Sequence, residues 1–463
     1  MIALAVLLLA AEGDWSRFRG PNGTGVSAAR DVPAVFGPEQ NVAWKTTVPP
    51  GHSSPVLGNR RVFLTAFEGE KLLTLCLDRR TGRVIWRREA PRARSEHLDK
   101  RNSPASSTPV TDGRNVWVFF PDFGLLSYDA DGKERWRLPL GPFNNLYGMG
   151  GSPILVDGLI VLVCDQTRES FAIAVDAASG RVRWRTPRPE ALSGHSTPVV
   201  YRPPHGPAHI LAPGSFRMDA YSVENGEAAW WVRGLASEMK SVPVVDGDRV
   251  YINGYNLPEN DPGRQIQVPP FSEVAAKHDA DGDGRLSREE SPDPRVRSAF
   301  VYLDLDHNGQ LDAAEWKTYA AALAAENALI AFRIGGRGDV GENNLVWKYQ
   351  RGVSQLPSTL LYREVLYMLN DAGVLTTFDA ATGAVHRQAR VRAVSDRYYA
   401  SPVAAGGRVY IAAHSGVVTV LNAGPAQEQI ASNDLGEEIW ATPALAAGRV
   451  WVRTRAALYC FGK

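Results

Sequence analysis

The sequence predicts an all-β fold, a closed eight-bladed β-propeller of four-stranded blades, on three observations. One strand grammar recurs along the chain, its copies stand roughly 45 residues apart, and a lone strand near the N-terminus has no sheet of its own. The clearest copy is Gly151 to Trp184, GSPILVDGLIVLVCDQTRESFAIAVDAASGRVRW. Its β-branched runs are broken by Asp157-Gly158, by the polar bend Gln166 to Ser170 and by Ala177 to Gly180, and they read as four antiparallel strands. One such sheet leaves a face unburied, so the unit is stable only when copies stack against it.

Taken in order, the chain opens on Met1 to Ala11 (MIALAVLLLAA), an apolar run too short to span a bilayer and followed at once by Glu12-Gly13-Asp14. It reads as the core of a secretion signal over residues 1–11, although no Lys or Arg precedes it, and an exported protein, periplasmic or secreted, is expected. Asp14 to Ser27 is irregular, and Asn41 to Thr47 is the lone strand. The repeats follow, each with Ser or Thr before Pro, a Gly turn, a Val-aromatic pair, a strand ending near Asp, a Thr/Ser-Gly turn and then Trp. Their anchors are Pro55, Pro109, Pro153, Pro198, Pro243, Pro402 and Pro443, with Ser358-Thr359 in sixth place. Pro suits the first residue of a strand, where its missing N–H costs little. Trp86, Trp136, Trp184 and Trp230 read as wedges between blades, and Arg387 stands where the sixth copy should have Trp. The last copy, Thr442 to Phe461, supplies three strands, so Val42 to Thr47 with Trp44 is expected to add the fourth and close the ring. Cys76, Cys164 and Cys460 are isolated in apolar runs and read as buried thiols.

The fifth copy is interrupted. It begins at Val242 to Gly254 and resumes at Ala328 to Trp347, which divides the chain into propeller over 12–255 and 328–463 with an insertion over 256–327. Within the insertion, Asp279 to Glu290 (DADGDGRLSREE) and Asp304 to Glu315 (DLDHNGQLDAAE) match a twelve-residue calcium loop position by position. The first offers side-chain oxygens from Asp279, Asp281 and Asp283, the Arg285 carbonyl, Ser287 at position nine and Glu290 clamping at twelve. The second offers Asp304, Asp306, Asn308, the Gln310 carbonyl, Asp312 and Glu315 in the same roles. Calcium takes six to eight oxygens, and this alternating spacing aims them inward. Gly284 and Gly309 give the sharp turn, and Leu286 and Leu311 at position eight should couple the two loops. Helices are expected over 272–277, 294–303 and 312–325, so the insertion is a small α-helical unit with two calcium sites.

Lys plus Arg number 51 against 50 for Asp plus Glu, which argues against nucleic acid or an anionic membrane surface as partner. Eight copies with Ser/Thr-Pro starts and D-x-x-T/S-G-x-x-x-W ends resemble the pyrroloquinoline quinone (PQQ)-like, quinoprotein-type propeller family, over roughly 41–255 and 328–463. The insertion separately resembles an EF-hand pair, and Trp15 with Phe18-Arg19-Gly20-Pro21 and Gly23 looks like the start of exported family members. The resemblance implies either a quinone-dependent dehydrogenase of alcohols or sugars or a non-enzymatic scaffold similar to the lipoprotein of the outer-membrane barrel-assembly machinery, so fold does not settle function. The alcohol-oxidising branch carries an adjacent Cys-Cys pair that this chain lacks, and no convincing PQQ-binding set maps onto the blades.

The favoured reading is therefore a monomeric, calcium-binding scaffold, in peripheral association with a membrane complex as the resemblance implies, with a protein or small molecule as partner. The alternative is a PQQ-dependent periplasmic dehydrogenase. The segments before each anchor should converge on one mouth of the central channel. They carry His52, Asn102, Tyr147, Met149, His195, Lys240, Gln355, Arg397, Tyr398, Tyr399 and Trp440, which makes that mouth the expected ligand site.

Overall fold

The computed structural model describes residues 15–392 and 394–463, and the expected secretion signal lies outside them. Eight blades, each of four antiparallel strands, surround a central channel; in blade 4 a short parallel strand, Gly338–Asp339, adds to the outer edge beside Trp230 and Trp231. Blade 3, the copy with the clearest grammar, comprises Ile154–Val156, Leu159–Cys164, Phe171–Asp176 and Val182–Pro187. Blade 8 is completed from the other end of the chain: Val42–Thr47 pairs antiparallel with Ala457–Phe461, Trp44 opposite Cys460. All three cysteines are buried and free.

Burial explains the strand grammar. Middle strands pack on blades to both sides and are largely buried, as in Val116–Phe120, where every residue is apolar and buried. Outer strands face solvent, and Val182–Pro187 buries only Trp184. Five such Trp sit at register shifts and donate the indole N–H to a turn carbonyl of the next blade, whereas Trp230 in blade 4 is buried with its indole N–H unpartnered. Trp44 reaches Arg79, Trp86 reaches Ala130, Trp136 reaches Ala177, Trp184 reaches Val223 and Trp347 reaches Ala380, all at 3.0–3.1 Å. The turn glycine lies flat on that indole; a Cβ at Gly226 would fall 2.6 Å from the Trp184 ring, and its φ of +74° already favours glycine. In blade 6 the Arg387 guanidinium makes the equivalent reach, to the Ala426 carbonyl at 2.8 Å. Replacing Trp184 with Ala should therefore lower the unfolding free energy by about 3–5 kcal/mol. Denaturant titration reads this directly, and a loss below about 1 kcal/mol would refute the wedge role.

The insertion leaves blade 5 between Arg249–Gly254 and Ala328–Arg333, which still pair, with Gly254 opposite Ala328. It contains helices α1 (Phe271–His278), α2 (Pro294–Leu303) and α3 (Ala313–Ala324). The Pro-rich stretch before α2 still gives that helix a defined start: Asp293 caps it by accepting from the Arg295 and Val296 amides. Val274, Leu286, Val296, Phe300, Leu311, Trp316, Tyr319 and Leu323 form a core separate from those of the blades. Two fully buried asparagines knot the neck. Asn260 donates to the Ala322 and Ala325 carbonyls, and Asn327 donates to the Leu257 carbonyl while accepting from the Asn256 amide.

The irregular N-terminal stretch is a plug. Trp15 accepts from the Leu57 amide in blade 1 and Ser16 from Thr111 in blade 2. Asn22 pairs with both backbone groups of Val200 in blade 4, and Gly25 accepts from Ala404 in blade 7. All four partners lie on inner strands beyond the proline anchors, so the plug spans one end of the channel. Arg17 and Arg19 are buried within it and reach the Pro198 and Thr359 carbonyls. Burial lowers both guanidinium pKa values to about 9.

Candidate functional site

The other end of the channel is open, and the residues before each anchor build it. The residue preceding a proline is held extended, which turns its side chain and N–H toward the neighbouring blade. Ser54 N–H donates to Thr108 Oγ1, Thr108 to Ser152, Ser152 to Thr197, Val242 to Ser358, Ser358 to Ser401, Ser401 to Thr442 and Thr442 back to Ser54, at 2.9–3.1 Å. The one open link falls at Val242, which has no hydroxyl to offer Thr197.

Above this ring lies a cavity of about 400 Å³. The residue three before each anchor lines it in every blade: His52, Ser106, Gly150, His195, Lys240, Leu356, Tyr399 and Trp440. Phe18 of the plug also reaches it. One wall is aromatic. Trp440 stacks on His52 at 4.5 Å and on Tyr399 at 4.3 Å between centroids, with His414 edge-on at 4.5 Å. Across the cavity Tyr147 meets His195 at 6.0 Å, and Asn102 holds the Tyr147 carbonyl at 2.8 Å. Charges at the mouth are paired: Arg101 with Asp99 through two bonds of 2.6 and 3.1 Å, and Lys240 with Glu238 at 2.9 Å. Gln355 lines the cavity as well, its amide bonded to Asp371 at 2.8 Å. Arg397 does not; it is exposed beside the mouth, and Met149 and Tyr398 are buried behind it.

Burial, with the nearby Arg453 charge, lowers the His52 pKa to about 4, and burial with Lys240 lowers His195 to about 3. Both rings are neutral at pH 7, and His195 Nε2 is buried without a partner. The cavity thus offers stacking faces, neutral imidazoles and ring hydroxyls to an uncharged or amphipathic group. Both folded values lie below the usual 6.5, so on acidification the unfolded chain takes up protons that the folded chain refuses. Stability is full above about pH 7 and falls as pH drops through 6.5 toward about 4 for His52 and about 3 for His195, a tenfold loss of proton affinity on folding corresponding to about 1.4 kcal/mol. Unfolding titrations should show that slope flattened by His52→Gln with His195→Gln; an unchanged slope would contradict it.

The two acidic loops lie outside the ring and repeat one hydrogen-bond pattern. Asp279 Oδ2 accepts from Gly284 N–H and Asp304 Oδ2 from Gly309 N–H, both at 2.9 Å. Glu290 folds back onto the Ala280 and Ser287 amides, and Glu315 onto those of Leu305 and Asp312, at 2.8–3.0 Å. The backbone N–H groups hold the Glu290 carboxyl down at about 2. Gly284 and Gly309 turn with φ of +78° and +83°, and Leu286 pairs with Leu311 across the loops. Carboxylate oxygens of Asp279, Asp281 and Asp283 lie within 4.8 Å of one another, as do those of Asp304, Asp306 and Glu315. Asn308 and Asp283 accept from the Gln310 and Arg285 amides at 2.8 Å, so both position-seven residues are held in the same turn, and Ser287 and Asp312 sit at matching places.

A family model described as outer membrane protein assembly factor BamB, a PQQ-type repeat family, matches residues 37–200 and 306–463. The chain belongs to this family. Solved structures of PQQ-type propellers share its architecture. BamB from Moraxella catarrhalis superposes with a TM-score of 0.54 at 11% identity, over 91% of this chain and 98% of its own. A europium-containing methanol dehydrogenase gives 0.62 at 10%, over 98% and 99%. The quinohemoprotein alcohol dehydrogenase ADHIIG from Pseudomonas putida HK5 gives 0.55 at 12%, over 97% and 80%. At such identities the likeness is one of fold. No curated protein sequence matches the chain.

The PQQ-type repeat carries a signal that finds the lining: position minus three from the anchor, read across all eight copies. Tyr147 enters by a different route, through a longer loop that also meets the insertion. There Tyr302 of α2 stacks on Tyr147 at 6.2 Å, His307 Nε2 lies 3.2 Å from Asn144 Oδ1, and Arg168 of blade 3 reaches Asp306 at 2.8 Å.

Proposed function

We propose that the protein is an exported, calcium-binding propeller that acts as a ligand- or protein-binding scaffold, with the channel-mouth cavity as its binding site. The observation that carries this reading is a cavity whose charged groups are already paired and whose free surface is aromatic, imidazole and hydroxyl, suited to holding a ligand. The family description as an outer-membrane assembly factor supports a scaffold with a protein partner, and with the apolar run Met1 to Ala11 it supports export. Calcium is assigned to the two loops on their donor sets: four acidic side chains each at ligand positions, one amide or hydroxyl, and a backbone carbonyl at position seven. Since the insertion has its own core, calcium there stabilises a module and takes no part in chemistry at the mouth.

Likeness to quinoprotein dehydrogenases makes PQQ the rival ligand. A calcium-held quinone needs carboxylate and amide oxygens gathered beside it. At the mouth Asp99 and Glu238 are each ion-paired, and among the described residues the acidic clusters able to gather a cation lie in the insertion. The mouth residues do not fit that donor set. Titration with PQQ and calcium chloride, read by absorbance and by dye-linked oxidation of alcohols and sugars, is expected to give neither stoichiometric uptake nor turnover. Stoichiometric quinone with turnover would replace the scaffold by a dehydrogenase.

A further inference from the structure

We propose that Arg168 is a built-in cation that competes with calcium for the second loop, so that calcium binding there releases the insertion from blade 3. The inference rests on the calcium reading above. Arg168 stands on the bend between the second and third strands of blade 3, distant in sequence from the insertion. Its Nη2 lies 2.8 Å from Asp306 Oδ2 and 3.7 Å from Glu315 Oε1. Those oxygens belong to positions three and twelve of the loop, two of the groups that calcium would draw in to about 2.3–2.6 Å. A guanidinium on the same oxygens blocks their approach and repels a divalent ion.

The two loops differ in this ion pair. Among the described residues no Lys or Arg is ion-paired with Asp279, Asp281, Asp283 or Glu290, so no cation competes at the first loop, where Asp283 accepts from the neutral Gln310 side-chain amide. The second is half-covered: Asp304 and Glu315 are buried, and Arg168 closes the remaining side. Each loop offers four acidic side chains at its ligand positions, Glu289 adding a fifth carboxylate to the first loop outside them, and Arg168 is the cation paired with the second.

Displacing Arg168 loosens more than the loop. The remaining contacts of this corner with the propeller are weak ones: Asn144 Nδ2 to the Leu305 carbonyl at 3.4 Å, His307 to Asn144 at 3.2 Å, and the Tyr302–Tyr147 stack. Asn144 and Tyr147 precede the blade 3 anchor, and Tyr147 is a wall of the cavity. The neck, by contrast, is fixed by Asn260 and Asn327 at the far end of the insertion. Release therefore frees the edge over the mouth while the insertion stays attached at blade 5, and calcium level is coupled to access at the cavity.

The test uses the full chain carrying Glu290→Ala, which leaves the second loop as the site read by calorimetry with calcium chloride. Adding Arg168→Ala should tighten binding there roughly tenfold, the equivalent of about 1.4 kcal/mol. In the parent chain calcium should speed hydrogen exchange at residues 142–150 of the propeller side, and in Arg168→Ala that exchange should be fast before calcium is added. Arg168 is half exposed, so the variant is expected to fold. If the Glu290→Ala chain and the parent bind no calcium, the calcium reading falls and takes this inference with it. If both chains bind calcium equally tightly, or calcium leaves exchange at 142–150 unchanged, the competition is refuted while the calcium reading stands.

Discussion

A chain lacking residues 1–47 loses cooperative folding of the ring. The deletion removes the outer strand of blade 8 and leaves Ala457–Phe461 as a bare edge, a template for association with other chains. It also removes Trp15, Val32, Phe36 and Trp44, all buried, whose burial is worth roughly 1.5–3 kcal/mol each. Their loss, roughly 6–12 kcal/mol, is comparable with the whole stability of a typical folded domain. The plug adds bonds to the inner strands of blades 1, 2, 4 and 7, so its absence opens the channel end as well as the seam. A chain starting at residue 28 keeps the closing strand and loses only the plug; it should unfold at an intermediate midpoint. Denaturation followed by circular dichroism checks both, and native-like cooperative unfolding of the longer truncation at an unchanged midpoint would overturn the closure argument.

What could be read from the sequence was whatever repeats or sits close together along the chain. Pro, turn glycine and Trp recur because every blade solves the same packing problem, and Trp184 on its turn carbonyl looks like Trp86 on its own. The acidic loops are legible because all their donors lie within twelve residues. The plug was not legible: Arg17 and Arg19 find their partners 181 and 340 residues away, at carbonyls that leave no mark in composition. The hydroxyl ring was visible only as Ser or Thr before Pro, a strand-start preference, and its second role needs the blades side by side. Arg397 marks where the expected mouth and the observed one part. It lies five residues before its anchor, where the loop has turned outward, whereas Tyr399 at minus three faces in. Arg168 carries no local pattern, since its significance depends on where the insertion comes to rest.

Replacing Glu290 and Glu315 together with Ala is expected to abolish the calcium binding proposed for both loops and to leave the ring folded. Each is the residue that closes its loop, and each now spends both oxygens on backbone N–H groups at the loop's start and at position nine. A bound ion would take those oxygens as a bidentate clamp, so Ala removes two ligands from a set of six to eight. The ring should be spared because the insertion core shares none of its side chains with the blade cores, and the neck is held by Asn260 and Asn327. Calcium at about one hundred times its dissociation constant adds about 2.7 kcal/mol per site to the state that binds it. That increment should appear in the unfolding of the insertion in the parent chain and vanish in the double variant, while the transition of the propeller stays where it was. Calorimetry that finds two sites in the parent and two in the variant would refute the ligand assignment. Loss of the propeller transition along with calcium would show instead that the two cores are coupled through the Tyr302–Tyr147 and Arg168 contacts more tightly than their separate packing implies.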